Sequence, residues 1–247
     1  MMNEQEIRKD LVTCHQLIEH FGMSDTIYTH VSARLDDPKG AFLTSPYGPL
    51  FDEVGCDDLI ALDLNGRMLK KTPHAVNAAG FVIHSAIYKA RPDVGCIIHT
   101  HTIAGVAVSA LKQGLLPISQ AALEFYNRIA YHDYEGLATD FAECAHIVED
   151  LGKHGAMIMH NHGLLVAGPS IAAAFETMYS LEQACRTQLS VLACGGELII
   201  PSPETCEHTA KQHEITGMLP KGARLWKAMS RKMARVYGSN NDGRLAA

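Results

Sequence analysis

The residues Gly95-Cys96-Ile97-Ile98-His99-Thr100-His101-Thr102 hold the first recognisable chemistry in the chain. Val94 to Ile98 is an apolar run that predicts a short buried strand. Side chains alternate along a strand, so His99 and His101 share a face. Two imidazoles on one face at a strand's end are half of a metal site. A second apolar stretch, Ala156-Met157-Ile158-Met159, runs into His160-Asn161-His162-Gly163 and offers a third ligand. One such pair alone reads as polar residues closing a strand. Two pairs, each closing an apolar strand, point to a metal. The run Thr102-Ile103-Ala104-Gly105-Val106-Ala107 predicts a small-residue helix. Its first backbone N–H groups would face the same mouth and favour an anion.

Composition sets the frame for these residues. A chain of 247 residues with 47% hydrophobic content is expected to form one large globular domain with a substantial core. The net charge of -6 gives no reason to expect nucleic acid as a partner. The seven cysteines (Cys14, Cys56, Cys96, Cys144, Cys185, Cys194, Cys206) form no C-x-x-C pair and are odd in number. They read as buried free thiols in a reducing compartment, not as disulfides or zinc ligands. Glu4, Glu6, Arg8, Lys9 and Asp10 charge the N-terminus and argue against a secretory signal. No apolar run approaches the ~20 residues of a membrane span. The expected location is the cytoplasm.

The elements that position the histidines can be read in order. Ile7, Leu11, Cys14, Ile18 and Phe21 recur at helical spacing, and Gly22 is placed to end that helix. His30 to Leu35 alternates like a strand, Asp36-Asp37-Pro38-Lys39-Gly40 is turn chemistry, and Ala41 to Thr44 returns. Leu59 to Leu64 meets Asn65-Gly66, a hairpin signal, before Arg67-Met68-Leu69. Residues 77 to 90 predict a helix with Ala79, Ile83, Ile87 and Ala90 on one face, closed by Arg91-Pro92. Gly80, His84 and Tyr88 are four apart on another face, where the glycine leaves space above whatever that face covers. His84 reads as a packed, hydrogen-bonded histidine, with a ligand role as the minor alternative.

Beyond the helix from Ile103 to Leu111, Leu115 to Gln120 predicts a loop and an edge strand, and Ala121 to Arg128 a short helix carrying Glu124. Ile129 to Tyr134 alternates like a strand. Phe141, Cys144, Val148 and Leu151 mark a helix ended by Gly152, and Leu164 to Ala167 a hairpin-like return. A long helix from about Ser170 turns Ala174, Met178, Leu181, Cys185, Leu189 and Leu192 inward and stops at Gly195-Gly196. Strands come early and helices are interspersed without a βαβ period. The expected fold is an α/β layered domain with a mainly antiparallel sheet. Residues 216–247 form a separate basic tail. Lys221, Arg224, Lys227, Arg231, Lys232 and Arg235 accompany Trp226, Met229, Met233 and Val236 at helical spacing. Such a helix binds a membrane surface or a partner, or it packs on its own domain (residues 1–215) or a neighbouring subunit. The packed arrangement is the expected one.

Several of these phrases together resemble the class II aldolase/adducin family. They are Ala79-Gly80-Phe81, His84-Ser85-Ala86-Ile87-Tyr88, Ala90-Arg91-Pro92-Asp93-Val94, His99-Thr100-His101-Thr102 and Asn161-His162-Gly163-Leu164. Gly114 to Ser119 and Ala130 to Gly136 bring the wording closest to the adducin head domain and its bacterial relatives. The resemblance covers roughly residues 5 to 200. It implies a three-layer α/β/α fold with a central, mainly antiparallel sheet, and a homotetramer with sites near subunit interfaces. It also implies a zinc ion, or another divalent transition metal, held by His99, His101 and His162. His160 stays outside that shell.

The departures from the family pattern bear on the chemistry. The family's catalytic glutamate falls on Gly80, its two phosphate-binding serines on Ala78 and Ala79, and its Gly-Asn pair on Thr29-His30. Only the loop Ser45-Pro46-Tyr47-Gly48 keeps its glycine. The metal ligands remain while the base and most of the phosphate cradle are gone, which argues against a sugar-phosphate substrate. The expected activity is that of an aldolase-like lyase. It would cleave a C–C bond of, or decarboxylate, a small hydroxy- or oxo-acid through a metal-stabilised enediolate. Glu124, His132 and Tyr134 are the candidates for moving the proton, and Gly48 and Thr102 for binding substrate or anion. The alternative is a non-catalytic adducin-like scaffold, with actin as a partner by that analogy only. A retro-aldol epimerase is a third reading, weakened by the missing serines.

Overall fold

The computed structural model describes residues 3–37, 40–136, 141–215 and 219–238. Seven strands form one sheet: β1 His30–Arg34, β2 Phe42–Thr44, β3 Ile60–Leu62, β4 Cys96–Thr100, β5 Ala130–His132, β6 Ala156–Met159 and β7 Gly163–Gly168. Their order is β3-β2-β1-β4-β7-β6-β5. Every neighbouring pair is antiparallel except β5 with β6, which is parallel. The helices are α1 Glu4–His20, α2 Ala78–Ala90, α3 Ile103–Ser109, α4 Gln120–Leu123, α5 Phe141–Leu151, α6 Ile171–Ala193, α7 Pro203–Glu214 and α8 Ala223–Tyr237.

Alternation along β4 divides the core in two. Cys96 and Ile98 join Val31, Leu43, Ile158, Leu164 and Val166 beneath Leu11 and Ile18 of α1 and Phe175, Met178 and Leu181 of α6. Ile97 points the other way and joins Phe42, Ile60, Leu62, Met157 and Leu165 beneath Ile83 and Ile87 of α2 and Ile147 and Leu151 of α5. The result is the expected three-layer α/β/α arrangement. Each fully buried aliphatic side chain contributes roughly 1.5–3 kcal/mol. A one-residue slip of β4 would turn its whole set to the wrong layer, so its register is firmly held.

The local signals mostly acted as their chemistry demands. Asn3 caps α1 through a capping box with Glu6, and Gly22 takes φ +62 just beyond its end. Ser170 caps α6 and Gly195 follows at φ +66. Gly66 turns the Asn65-Gly66 hairpin at φ +87, but its far arm pairs only through the single bridge Leu62 to Met68. Pro38 and Lys39 of the first turn lie outside the described residues. The expected edge strand at Leu115–Gln120 is absent: Leu115 N–H goes to the Tyr131 hydroxyl and Leu116 N–H to Gln188 Oε1, so side chains take the donors a ladder would need. The following helix is one turn, Gln120–Leu123, rather than a run to Arg128. Helix α7 was not foreseen, although Ser202 caps it and Pro203 opens it.

Helix α8 packs on α6 and α1. Trp226 stands edge-on to Phe175 at 6.1 Å and its Nε1–H donates to Asp10 Oδ1, while Met233 is fully buried. Arg224, Lys227, Arg231 and Arg235 face outward. The tail residues 216–218 and 239–247 lie outside the described residues. Six of the seven cysteines are buried and Cys194 is exposed. Among the described residues no helix is long and apolar enough to cross a membrane.

Candidate metal centre

Strand β4 is buried along its whole length and delivers His99 at its penultimate position, with His101 one step past its end. The hairpin between β6 and β7 delivers His162. Asn161 takes φ +56, His162 N–H closes the turn on Met159 O, and Gly163 begins β7. Gly163 is demanded by contact: a Cβ there would stand 2.3 Å from Thr100 O. That approach holds the His162 turn against the end of β4. Ser109 O, at the end of α3, accepts from both His160 Nδ1 and Asn161 N–H. His160 is engaged by this anchor and stacks on Tyr131, and it is not one of the three residues whose ligand atoms cluster.

The three Nε2 atoms converge. His99 lies 2.8 Å from His101 and 3.2 Å from His162, and His101 lies 3.1 Å from His162. Tetrahedral coordination with Zn–N bonds of about 2.0–2.1 Å implies an edge of about 3.3 Å between ligand nitrogens. The outer nitrogens decide the tautomers. His99 Nδ1 faces Leu164 O at 2.9 Å, and a carbonyl only accepts, so Nδ1 carries the hydrogen. His101 Nδ1 faces Asp25 Oδ2 at 3.2 Å in the same sense. In the neutral rings both Nε2 atoms therefore present lone pairs to one another. A cation shared between them would resolve the conflict, and these three side chains form a group that could hold one. Burial, then the neighbouring histidines, holds the His99 pKa well below its usual value. Burial, then His101 and His132, brings His162 down to about 4. Burial thus disfavours a proton on His99 and His162, and the carbonyl beside His99 and the carboxylate beside His101 are partners of the kind that metal-bound histidines have.

A second histidine pair stands behind this trio. β1 pairs with β4 so that His30 lies opposite His99, with ring centroids 4.8 Å apart. His30 Nδ1 is 2.9 Å from His84 Nε2, His84 Nδ1 is 2.6 Å from Ser32 Oγ, and Ser32 Oγ is 2.9 Å from the Tyr88 hydroxyl. All four side chains are buried. The space above Gly80 is filled by His30: a Cβ at position 80 would meet its ring at 3.0–3.2 Å. His84 is a hydrogen-bonded core histidine, as its spacing suggested. His30 was not singled out from sequence. The available signal was its alternation with Ser32 on β1 facing the Gly80, His84 and Tyr88 stripe of α2.

The remaining candidates scatter. Thr102 Oγ1 caps α3 by accepting from Gly105 N–H and donates to Glu182 Oε2, so its hydroxyl is already committed. Gly48 sits at φ +121 on an exposed loop with open space around it. Glu124 is ion-paired with Lys221 and lines two clefts, of about 350 and 330 Å³, that none of the three histidines lines. Tyr134 is 53% exposed after β5. His132, at the end of β5, is buried; its Nδ1 is 2.7 Å from Asp150 Oδ2 and its Nε2 has no hydrogen-bond partner among the described residues. Its carbonyl accepts from His160 N–H, which brings it beside the His162 turn.

Residues 9–189 match the family described as Class II Aldolase and Adducin N-terminal domain. A solved structure of an aldolase II superfamily protein from Pseudomonas syringae is 41% identical, with a TM-score of 0.89, covering 95% of this chain and 94% of that one. An L-fuculose 1-phosphate aldolase from Glaciozyma antarctica is 28% identical with a TM-score of 0.84, covering 96% and 92%. Alpha-adducin of Rattus norvegicus is 43% identical over 196 residues, which is 78% of this chain and 26% of that protein.

Proposed function

Since the chain belongs to the class II aldolase and adducin family, we propose that it is a metal-dependent lyase. It acts on a small hydroxy- or oxo-acid by C–C bond cleavage or decarboxylation. The observation that carries this reading is the mutual approach of the Nε2 atoms of His99, His101 and His162 within 3.2 Å. A bound divalent cation supplies a Lewis acid for charge developing on a substrate oxygen. Zinc suits three imidazoles, and iron, nickel or copper would suit them too. The protein's share is to hold three imidazole donors on one side and leave the other open, as a catalytic site requires.

Proton handling falls to His132 in this proposal. Asp150 fixes its Nδ1–H, which leaves a bare Nε2 for a proton. Glu124 is the weaker candidate because Lys221 already neutralises it, and Tyr134 because it is exposed. The assembly is proposed as a homotetramer. Ile103, the residue after the cap Thr102, is 89% exposed beside the centre, which supports a neighbouring subunit covering it.

The competing reading is a non-catalytic adducin-like scaffold, favoured by the identity to alpha-adducin. Metal analysis of the purified chain, followed by a chelator-sensitive assay on short hydroxy- and keto-acids, separates the two. One metal per chain with turnover selects the lyase. An intact oligomer without metal selects the scaffold.

A further inference from the structure

We infer that His30 is the residue that orients the substrate at this centre, its Nε2 hydrogen-bonding an oxygen of a small carboxylate ligand held beside His99, His101 and His162. The inference rests on the metal reading above and adds to it a binding residue and a device that holds that residue.

The device is built from two elements. Antiparallel pairing of β1 with β4 sets His30 opposite His99. Helix α2 presents Gly80, His84 and Tyr88 to the same strand, and Gly80 lets the His30 ring lie flat against the helix. His84, Ser32 and Tyr88 then continue a hydrogen-bonded train away from the centre. Such a train runs in either direction. If Tyr88 donates to Ser32, Ser32 to His84 Nδ1, and His84 Nε2–H to His30 Nδ1, then His30 shows a donor at Nε2. If each bond is reversed, His30 shows an acceptor. Neither state adds a charge.

His30 Nδ1 is taken by His84, and no hydrogen bond within the described residues engages its Nε2. The residue is 4% exposed. That nitrogen is not among the fully buried polar atoms left without a partner, so it borders space that a ligand's oxygen can enter. His30 also stands outside the group of three ligand atoms that fits a metal. It is therefore available to a ligand's oxygen.

The test uses the full chain loaded with zinc and titrated with oxalate in a calorimeter. The parent takes up one zinc and binds oxalate. His30→Phe keeps the zinc and loses affinity for oxalate by about tenfold or more, the usual worth of a hydrogen bond to a charged group. His30→Gln, which restores a polar tip, recovers most of it. Gly80→Ala presses on the same ring without removing it and gives normal zinc uptake with weaker oxalate binding, which keeps the test valid if His30→Phe does not fold. Normal zinc with unchanged oxalate affinity in His30→Phe or Gly80→Ala overturns this inference alone. Loss of zinc in His30→Phe overturns it as well, by placing His30 in the metal shell. A parent that takes up no zinc overturns the metal reading and this inference together.

Discussion

The imidazole of His30 rests on the bare α-carbon of Gly80, so close that a Cβ there would stand 3.0 Å from His30 Cγ. The ring cannot retreat freely, because His84 holds its Nδ1. Gly80→Ala is therefore expected to destabilise the fold by about 1–3 kcal/mol, the usual cost of overpacking. In a His30→Ala background the same change should stabilise, by up to about 1 kcal/mol, because alanine is the better helix residue. Urea denaturation of the four proteins reads the change of sign. The same sign in both backgrounds would show that the ring is not what the glycine accommodates.

His101→Ala removes the ligand that bridges the ends of the trio to Asp25. Zinc should bind the parent at one per chain and raise its stability by about 2.7 kcal/mol at a hundredfold excess over Kd. The variant should bind none and show no zinc-dependent shift in Tm. Equilibrium dialysis with metal analysis checks the first, a thermal melt the second. An unchanged metal content in the variant would contradict the proposed centre.

Sequence legibility followed the range of the interactions. His99 and His101 were readable because an apolar run and a two-residue spacing are local. His162 was readable because its hairpin closes within four residues. His30 was not, since its meaning depends on a register with His99 that spans most of the N-terminal half. The misread edge strand at Leu115–Gln120 has the same origin: its donors are satisfied by Tyr131 and by Gln188, which a local window does not see. Helix α7 is different. Its Ser202-Pro203 start was legible and only its weak apolar stripe, with Cys206 and Ala210 buried, hid it.

His15 supplies a pH dependence independent of the metal ligands. It is fully buried on α1, with Nδ1–H to Leu11 O and Nε2 accepting from Ser45, and burial brings its pKa down to about 4. The unfolded chain binds this proton near pH 6.5. Stability is thus complete above pH 6.5 and falls as the pH drops toward 4. At pH 5 this residue alone costs on the order of 2 kcal/mol. His15→Gln should lose correspondingly less between pH 7.5 and pH 5 in urea titrations. Equal losses in both proteins would rule His15 out as a cause.

Glu124 tests whether a buried carboxylate in a cleft is chemistry or architecture. Its side chain is 10% exposed and its partner Lys221 is 33% exposed. Lys221→Ala strands the charge and should destabilise by about 1–3 kcal/mol, while Glu124→Gln in that background restores most of the loss. Neither change should alter zinc content or turnover. A tenfold fall in turnover for Glu124→Gln at full zinc loading would return Glu124 to the catalytic list.

His132 poses the opposite question, because its geometry resembles a base while its burial resembles a strut. Asp150 Oδ2 lies 2.7 Å from Nδ1 and can only accept, so Nδ1 carries a hydrogen, and Nε2 has no partner among the described residues. A structural histidine would gain from losing that nitrogen: His132→Phe should then raise stability by about 1–3 kcal/mol and leave turnover alone. A catalytic one should lose roughly 10²–10⁴ in kcat at full zinc loading, whatever happens to stability. The proposed role predicts the second result, with a smaller loss for Asp150→Asn. An amide can donate as well as accept, so it no longer enforces the tautomer that leaves Nε2 bare. Equal kcat in parent and His132→Phe would assign the proton to another group.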